Sequence, residues 1–103
     1  MKHFLLTYRL ASDYLERRAA LRDQHLTVAQ AAVGRGELLL GGAVEGLQEA
    51  ALLFAGEDAS AAEAFARADP YVTNGLVTGW RVREWLTVVG ESAANKLPAG
   101  ARD

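Results

Sequence analysis

"ELLLGGAVEGLQEAALLFAG", residues 37–56, decides the fold. Two apolar runs, "ELLLGGAV" (37–44) and "QEAALLFAG" (48–56), flank a turn containing Gly46, and this pattern predicts a β-hairpin. Both runs are apolar on successive residues. Side chains on a strand alternate between the two faces of a sheet, so Leu38, Leu39 and Leu40 cannot all point into one layer of helices. The hairpin therefore belongs to a sheet whose two faces both need a cover.

Outward from the hairpin, "KHFLLTY" (2–8) reads as a strand, rich in aromatic and aliphatic residues. Ser12 offers an N-cap oxygen, and Asp13 and Glu16 fall in a first turn where the helix dipole favours negative charge. An amphipathic helix follows from Leu15 to Val33, with an expected inner stripe of Leu15, Ala19, Arg22, Leu26, Ala29 and Val33. "GRG" (34–36) supplies its stop. Beyond the hairpin, "SAAE" (60–63) matches a capping box, with Ser60 as cap and Glu63 reaching back. The short helix it opens shows Ala61, Phe65 and Ala68 on one side and stops at Asp69, because proline disfavours helical geometry in the residue before it. After the loop "DPYVTNG", residues 76–89 form a last strand, and from Gly90 a polar tail is expected to be mobile or to lie on a partner.

The order is strand, helix, strand, strand, helix, strand. Two helices for four strands make an α+β fold of ferredoxin-like βαββαβ type, an antiparallel sheet with both helices on one face. A second copy laying its sheet on the open face would give a symmetric homodimer. One domain spans residues 1–89, and the tail spans 90–103.

Bulk properties narrow the function. The chain has 103 residues, 50% of them hydrophobic, and much of that is alanine, so large apolar side chains are fewer than the percentage suggests. Net charge is −2, with arginines interleaved among acids, which gives no footprint for nucleic acid. Cysteine is absent, which removes thiolate zinc sites and thiol nucleophiles. The N-terminal "MKHFLLTYRL" soon meets Tyr8 and Arg9, unlike a secretory leader, and no stretch approaches a membrane span. A cytoplasmic protein that binds neither membrane nor nucleic acid is expected.

Arg22 and His25 are the residues that the helix pattern does not ask for, and at i and i+3 they are neighbours on its surface. Two readings of Arg22 stand. Its stem could lie on apolar surface while its head meets water, Glu16 or Asp23, or it could serve a ligand. His25 could be a hydrogen-bonded structural residue or a catalyst, and Asp69 a turn residue or that catalyst's partner. His3 and His25 lack the spacing of a zinc site, so no metal is expected. Gly41 and Gly42 follow a strand without the helix start of a dinucleotide loop, and mark a bulge or a close approach to the backbone. Ser12, Ser60 and Ser92 read as caps or tail rather than nucleophiles.

Taken together, "RDQHL" on the first helix, "ELLLGGAV", the "SAAEAFARADPYVTNGL" segment and "VREW" resemble the YCII-related family over roughly residues 1–88. The most specific feature is Arg-x-x-His-Leu combined with a downstream Asp-Pro-Tyr, followed by Gly75 and Leu76. The resemblance implies a dimeric α+β barrel of ferredoxin-like subunits and a histidine–aspartate pair in a cleft, carried here by His25 and Asp69. It makes Arg22 a cleft residue, with Tyr71 and Gly42 as further candidates for binding a small-molecule substrate. It also implies a cofactor-independent enzyme of lyase, isomerase or dehydrochlorinase type. His25 would be general acid or base, Asp69 would orient it, and Arg22 would hold an anionic oxygen of the ligand. The alternative is a non-catalytic small-ligand-binding or accessory protein. Which of His3, Thr7, Tyr8 and Arg81 face the cleft cannot be read from the chain.

Overall fold

β1 (Lys2–Leu10) is the strand on which the rest of the molecule is arranged. In the computed structural model, which describes residues 1–97, it is followed by α1 (Tyr14–Gly34), β2 (Leu38–Ala43), β3 (Glu49–Gly56), α2 (Ser60–Ala68), α3 (Pro70–Thr73) and β4 (Val77–Trp85). The sheet has the order β2-β3-β1-β4, and every pairing is antiparallel. The α+β fold and the single-sided placement of its helices match the expectation from the order of elements.

Strand alternation separates the two faces. Phe4, Leu6, Tyr8 and Leu10 are buried on one side of β1, joined by Leu52 and Phe54 of β3. Against them pack Tyr14 and Ala32 of α1, Ala62, Phe65 and Ala66 of α2, and Tyr71 of α3. Burying each large side chain of this layer contributes about 1.5–3 kcal/mol. Leu5, Leu53 and Leu40 point the other way, and Leu40 is 71% exposed. An irregularity between Leu38 and Leu40 resolves the three consecutive leucines: Leu38 goes into the core, while Leu39 and Leu40 stay outside. The chain's own helices leave this second face uncovered.

Several local expectations need correcting. Ser12 does not cap α1; Asp13 holds the N-cap position without a side-chain bond. The stripe of α1 turned to the core is Tyr14, Leu21, His25, Val28 and Ala32, and Arg22 is exposed together with Leu15, Leu26 and Val33. With alanines on several sides of this helix, apolar pattern alone does not choose its inner face. The capping box of α2 does not form: Asp58 Oδ1 accepts the Ser60 N–H at 2.9 Å, and Glu63 lies 4.0 Å from Arg67 instead. The buried side of α2 is Ala62, Phe65 and Ala66. "DPYVTNG" is not a plain loop but contains α3, closed by Gly75 at φ +78, a left-handed geometry that suits glycine.

β4 stops at Trp85, earlier than expected, because the chain turns with the Thr87 N–H donating to the Trp85 carbonyl at 2.9 Å. Residues 90–97 run back, with Asn95 N donating to Thr87 O at 2.9 Å. The rest of the expected mobile tail, 98–103, lies outside the described residues. Among the described residues no helix is long and apolar enough to cross a membrane.

Candidate active site

Asp69 owes its place to Pro70. The residue before proline is driven out of helical geometry, so α2 ends with Asp69 extended at φ −64 and ψ 123, and proline's fixed φ then starts α3. In that position Asp69 caps the new turn, its Oδ1 accepting the Tyr71 N–H at 3.0 Å. The whole residue is 0% exposed. A buried carboxylate must be hydrogen-bonded, and two further groups supply this. His25 Nδ1 lies 2.8 Å from Oδ1, and the Tyr8 hydroxyl donates to Oδ2 at 2.7 Å.

The carboxylate accepts, so Nδ1 carries the hydrogen and neutral His25 keeps its lone pair on Nε2. Among the described residues Nε2 has no partner, and no buried side-chain nitrogen or oxygen is left unpaired. Nε2 therefore reaches solvent, in keeping with the 16% exposure of the side chain. The ring is held on two sides. Tyr71 stacks on it at 3.9 Å between centroids and 5° between planes, and Phe65 meets it edge-on at 6.5 Å. Tyr14 in turn stands edge-on to Tyr71 at 5.8 Å, and the Arg18 guanidinium lies 5.6 Å over the Tyr14 ring.

Burial, and then the Asp69 charge and hydrogen bond, push the Tyr8 hydroxyl far above its ordinary value of 10.0. Burial and then Tyr14 raise Tyr71, against the opposing pull of Arg18 and Arg22. For Tyr8 the stability consequence has a definite sign. Its contribution is complete below the unfolded value of 10.0; above it the unfolded chain sheds a proton that the native state keeps, and stability falls. The slope is about 1.4 kcal/mol per pH unit. Urea denaturation at about pH 8 and about pH 11 is expected to show wild type losing more stability than Tyr8→Phe; equal losses would count against this coupling.

The structure thus brings His25, Asp69, Tyr71 and Tyr8 together. Arg22 sits on the exposed flank of α1. Gly42 lies elsewhere: it pairs with Ala51 on the outer face of the sheet, and the position of close approach is Gly41, where a Cβ would come 3.3 Å from Leu52 Cγ. The cause is the two-residue alternation of a strand, which turns neighbours to opposite faces. His3, Thr7 and Arg81 also belong to the outer face, and His3 Nδ1 meets Thr87 Oγ1 at 2.7 Å. Tyr14 and Arg18 were not foreseen as neighbours of the site, although their spacing from His25, eleven and seven residues, places them on its side of the helix. Among the described residues no three His, Cys, Asp or Glu side chains gather as a metal site. An open groove of about 1300 Å³ runs between the end of β1, the start of α1, the turn at residues 45–49 and residues 79–81; Tyr8 and Tyr14 line it, whereas His25 and Asp69 do not.

An antiparallel sheet backed by helices on one face, with an imidazole and a carboxylate joined between the layers, defines a ferredoxin-like α+β protein in which a partly exposed histidine is bonded to a buried aspartate. The chain belongs to the YCII-related domain family, whose model matches residues 1–86. No curated protein matches the sequence. Among solved structures, it is similar to the 5-chloro-2-hydroxyhydroquinone dehydrochlorinase of Burkholderia phenoliruptrix in complex with 2,5-dihydroxybenzoquinone. That match has a TM-score of 0.70 and 19% identity, over 82% of this chain and 94% of the other. A protein of Agrobacterium tumefaciens, Atu4242, matches with a TM-score of 0.57 and 18% identity over 91% and 98%. A NIPSNAP family protein of the same organism matches at 0.56 and 12%, over 89% and 95%. At these identities the likeness speaks for the fold.

Proposed function

We propose that this chain is a small acid–base enzyme that moves protons on a hydroxylated aromatic or other enolisable substrate, with dehydrochlorination as its leading reaction. One observation carries the reading: His25 offers an open Nε2 while its Nδ1 is tied at 2.8 Å to a carboxylate with no exposure. A base so oriented is what a proton transfer requires. The fold shared with a dehydrochlorinase supports this choice of reaction.

On a chlorinated hydroquinone, Nε2 takes one hydroxyl proton and returns it to the carbon bearing chlorine, which becomes tetrahedral in a dienone. Removal of the second hydroxyl proton forms the second carbonyl, shifts the ring double bond and expels the C–Cl pair as chloride. The sum is loss of HCl and formation of a quinone. The ring gives up two electrons, and the carbon that exchanges chlorine for hydrogen receives them, so no outside oxidant enters. Asp69 holds the imidazolium between the two transfers. Arg22, three residues before His25 on α1, with Arg18 one turn further back, is assigned to the phenolate oxygen.

The test is chloride release and quinone absorbance from chlorohydroquinone, with muconolactones and related enolisable acids as further substrates. Turnover by wild type and its loss in His25→Ala are expected. A wild type that releases no chloride and exchanges no substrate proton would sink the reading.

The outer face of the sheet, with Leu40 and Trp85 exposed, is the surface we assign to a second copy. Light scattering is expected to give twice the 11.1 kDa of one chain. A mass of 11.1 kDa at micromolar concentration would overturn the assignment.

A further inference from the structure

One buried hydroxyl at the site has no part in the proton transfers above. Tyr8 is 3% exposed and stands on β1 in line with Phe4 and Leu6, so its ring belongs to the core while its oxygen reaches Asp69. The two carboxylate oxygens have different duties. Oδ1 takes the His25 Nδ1–H and the Tyr71 N–H, whereas Oδ2 takes the Tyr8 O–H at 2.7 Å. Among the described residues no lysine or arginine pairs with Asp69, and its salt-bridge partner is His25. The charge of this buried group is therefore met by hydrogen-bond donors, and Tyr8 is the side-chain donor that belongs to the sheet rather than to the acid–base ring.

Resting on the acid–base reading of the pair, we propose that Tyr8 is a positioning residue: its hydroxyl fixes Asp69 Oδ2 and thereby sets how strongly Asp69 holds the proton on His25. A donor on Oδ2 draws negative charge off the carboxylate and weakens its grip on the imidazolium. The hydroxyl does not compete as an acid, since burial and the neighbouring charge keep it protonated. The remaining charged or titratable groups around the cluster are Tyr14, Arg18 and Arg22 of α1 and Tyr71 of α3; α2 turns Phe65 to it. None of these bonds to Oδ2.

The test is the NMR titration of the His25 ring in the full chain, which needs no substrate. Tyr8→Phe keeps the ring and removes the donor, so the midpoint of His25 is expected to rise by about half a pH unit to one unit. Asp69→Asn is expected to lower it. In the double variant Tyr8→Phe with Asp69→Asn, the Tyr8 change should add nothing, because its effect passes through the carboxylate. Tyr8→fluorotyrosine, with fluorine next to the hydroxyl, makes a stronger donor and should move the midpoint down; it keeps the test alive if Tyr8→Phe does not fold. An unmoved midpoint in Tyr8→Phe, or an equal shift in the Asp69→Asn background, would overturn the proposal. Should the midpoints move as expected while no substrate is turned over, the positioning role stands and the enzymatic reading falls.

Discussion

Asp69→Ala is expected to destabilise the fold by about 3–5 kcal/mol, a large part of the roughly 5–15 kcal/mol that holds a domain of this kind together. Three donors lose their acceptor at once: the Tyr8 hydroxyl, the His25 Nδ1–H and the Tyr71 N–H. Tyr8 and Tyr71 are buried, so water does not freely replace what is lost, and each unsatisfied group costs about 1–3 kcal/mol. Losing the cap of α3 adds about 1 kcal/mol. Relief from burying a carboxylate offsets part of the sum and keeps it from being larger. Asp69→Asn should cost less, since its carbonyl can still cap the turn. Urea denaturation measures both, and an Asp69→Ala variant as stable as wild type would show that the carboxylate does not organise the layer between helices and sheet.

His25→Ala should lower turnover by about 10² to 10⁴ while leaving KM close to its wild-type value, because the lost group works on the proton rather than on binding. The variant also strips a donor from Asp69, which confuses chemistry with folding. His25→Gln separates them, for an amide can still donate to Oδ1 but supplies no base. Equal loss of chloride release in both variants, with the thermal midpoint better kept in His25→Gln, is the expected outcome. Appreciable turnover by His25→Gln would assign the base to another group.

The order of elements was readable in the sequence because each boundary carries a backbone reason: Pro70 ends one helix, Gly36 with φ +77 closes another, and Gly46 with φ +96 turns the hairpin. The hairpin's two-sided apolarity also pointed to an uncovered face. α1 was harder. Leu15, Leu26 and Val33 form as convincing a stripe as Tyr14, Leu21 and Val28, and only the tertiary structure turns one of them inward. Arg22 is thus no buried guanidinium, and His25 is the residue that faces the core. Tyr8 shares a face with Phe4 and Leu6 in the structure, but the sequence left open whether it met the cleft. What hid its contact with Asp69 was the distance along the chain between them, which no local pattern spans. Gly42 falls on the outer face of the sheet, away from His25 and Asp69, because neighbours on a strand turn to opposite faces.

That same separation gives the site a place in time. Tyr8 and Asp69 lie 61 residues apart, and His25 and Asp69 lie 44 apart. Synthesis at about 5–20 residues per second leaves the tyrosine and the histidine waiting seconds for their carboxylate. β4, which flanks Tyr8 on the sheet, comes later still. α1 can form from its own neighbours within microseconds, but pairings between distant stretches of chain are slow to close. Until β4 pairs with it, that edge of β1 has no partner strand, and an unpaired edge is a template for any other strand, so the last strand to be made also closes off a route to aggregation.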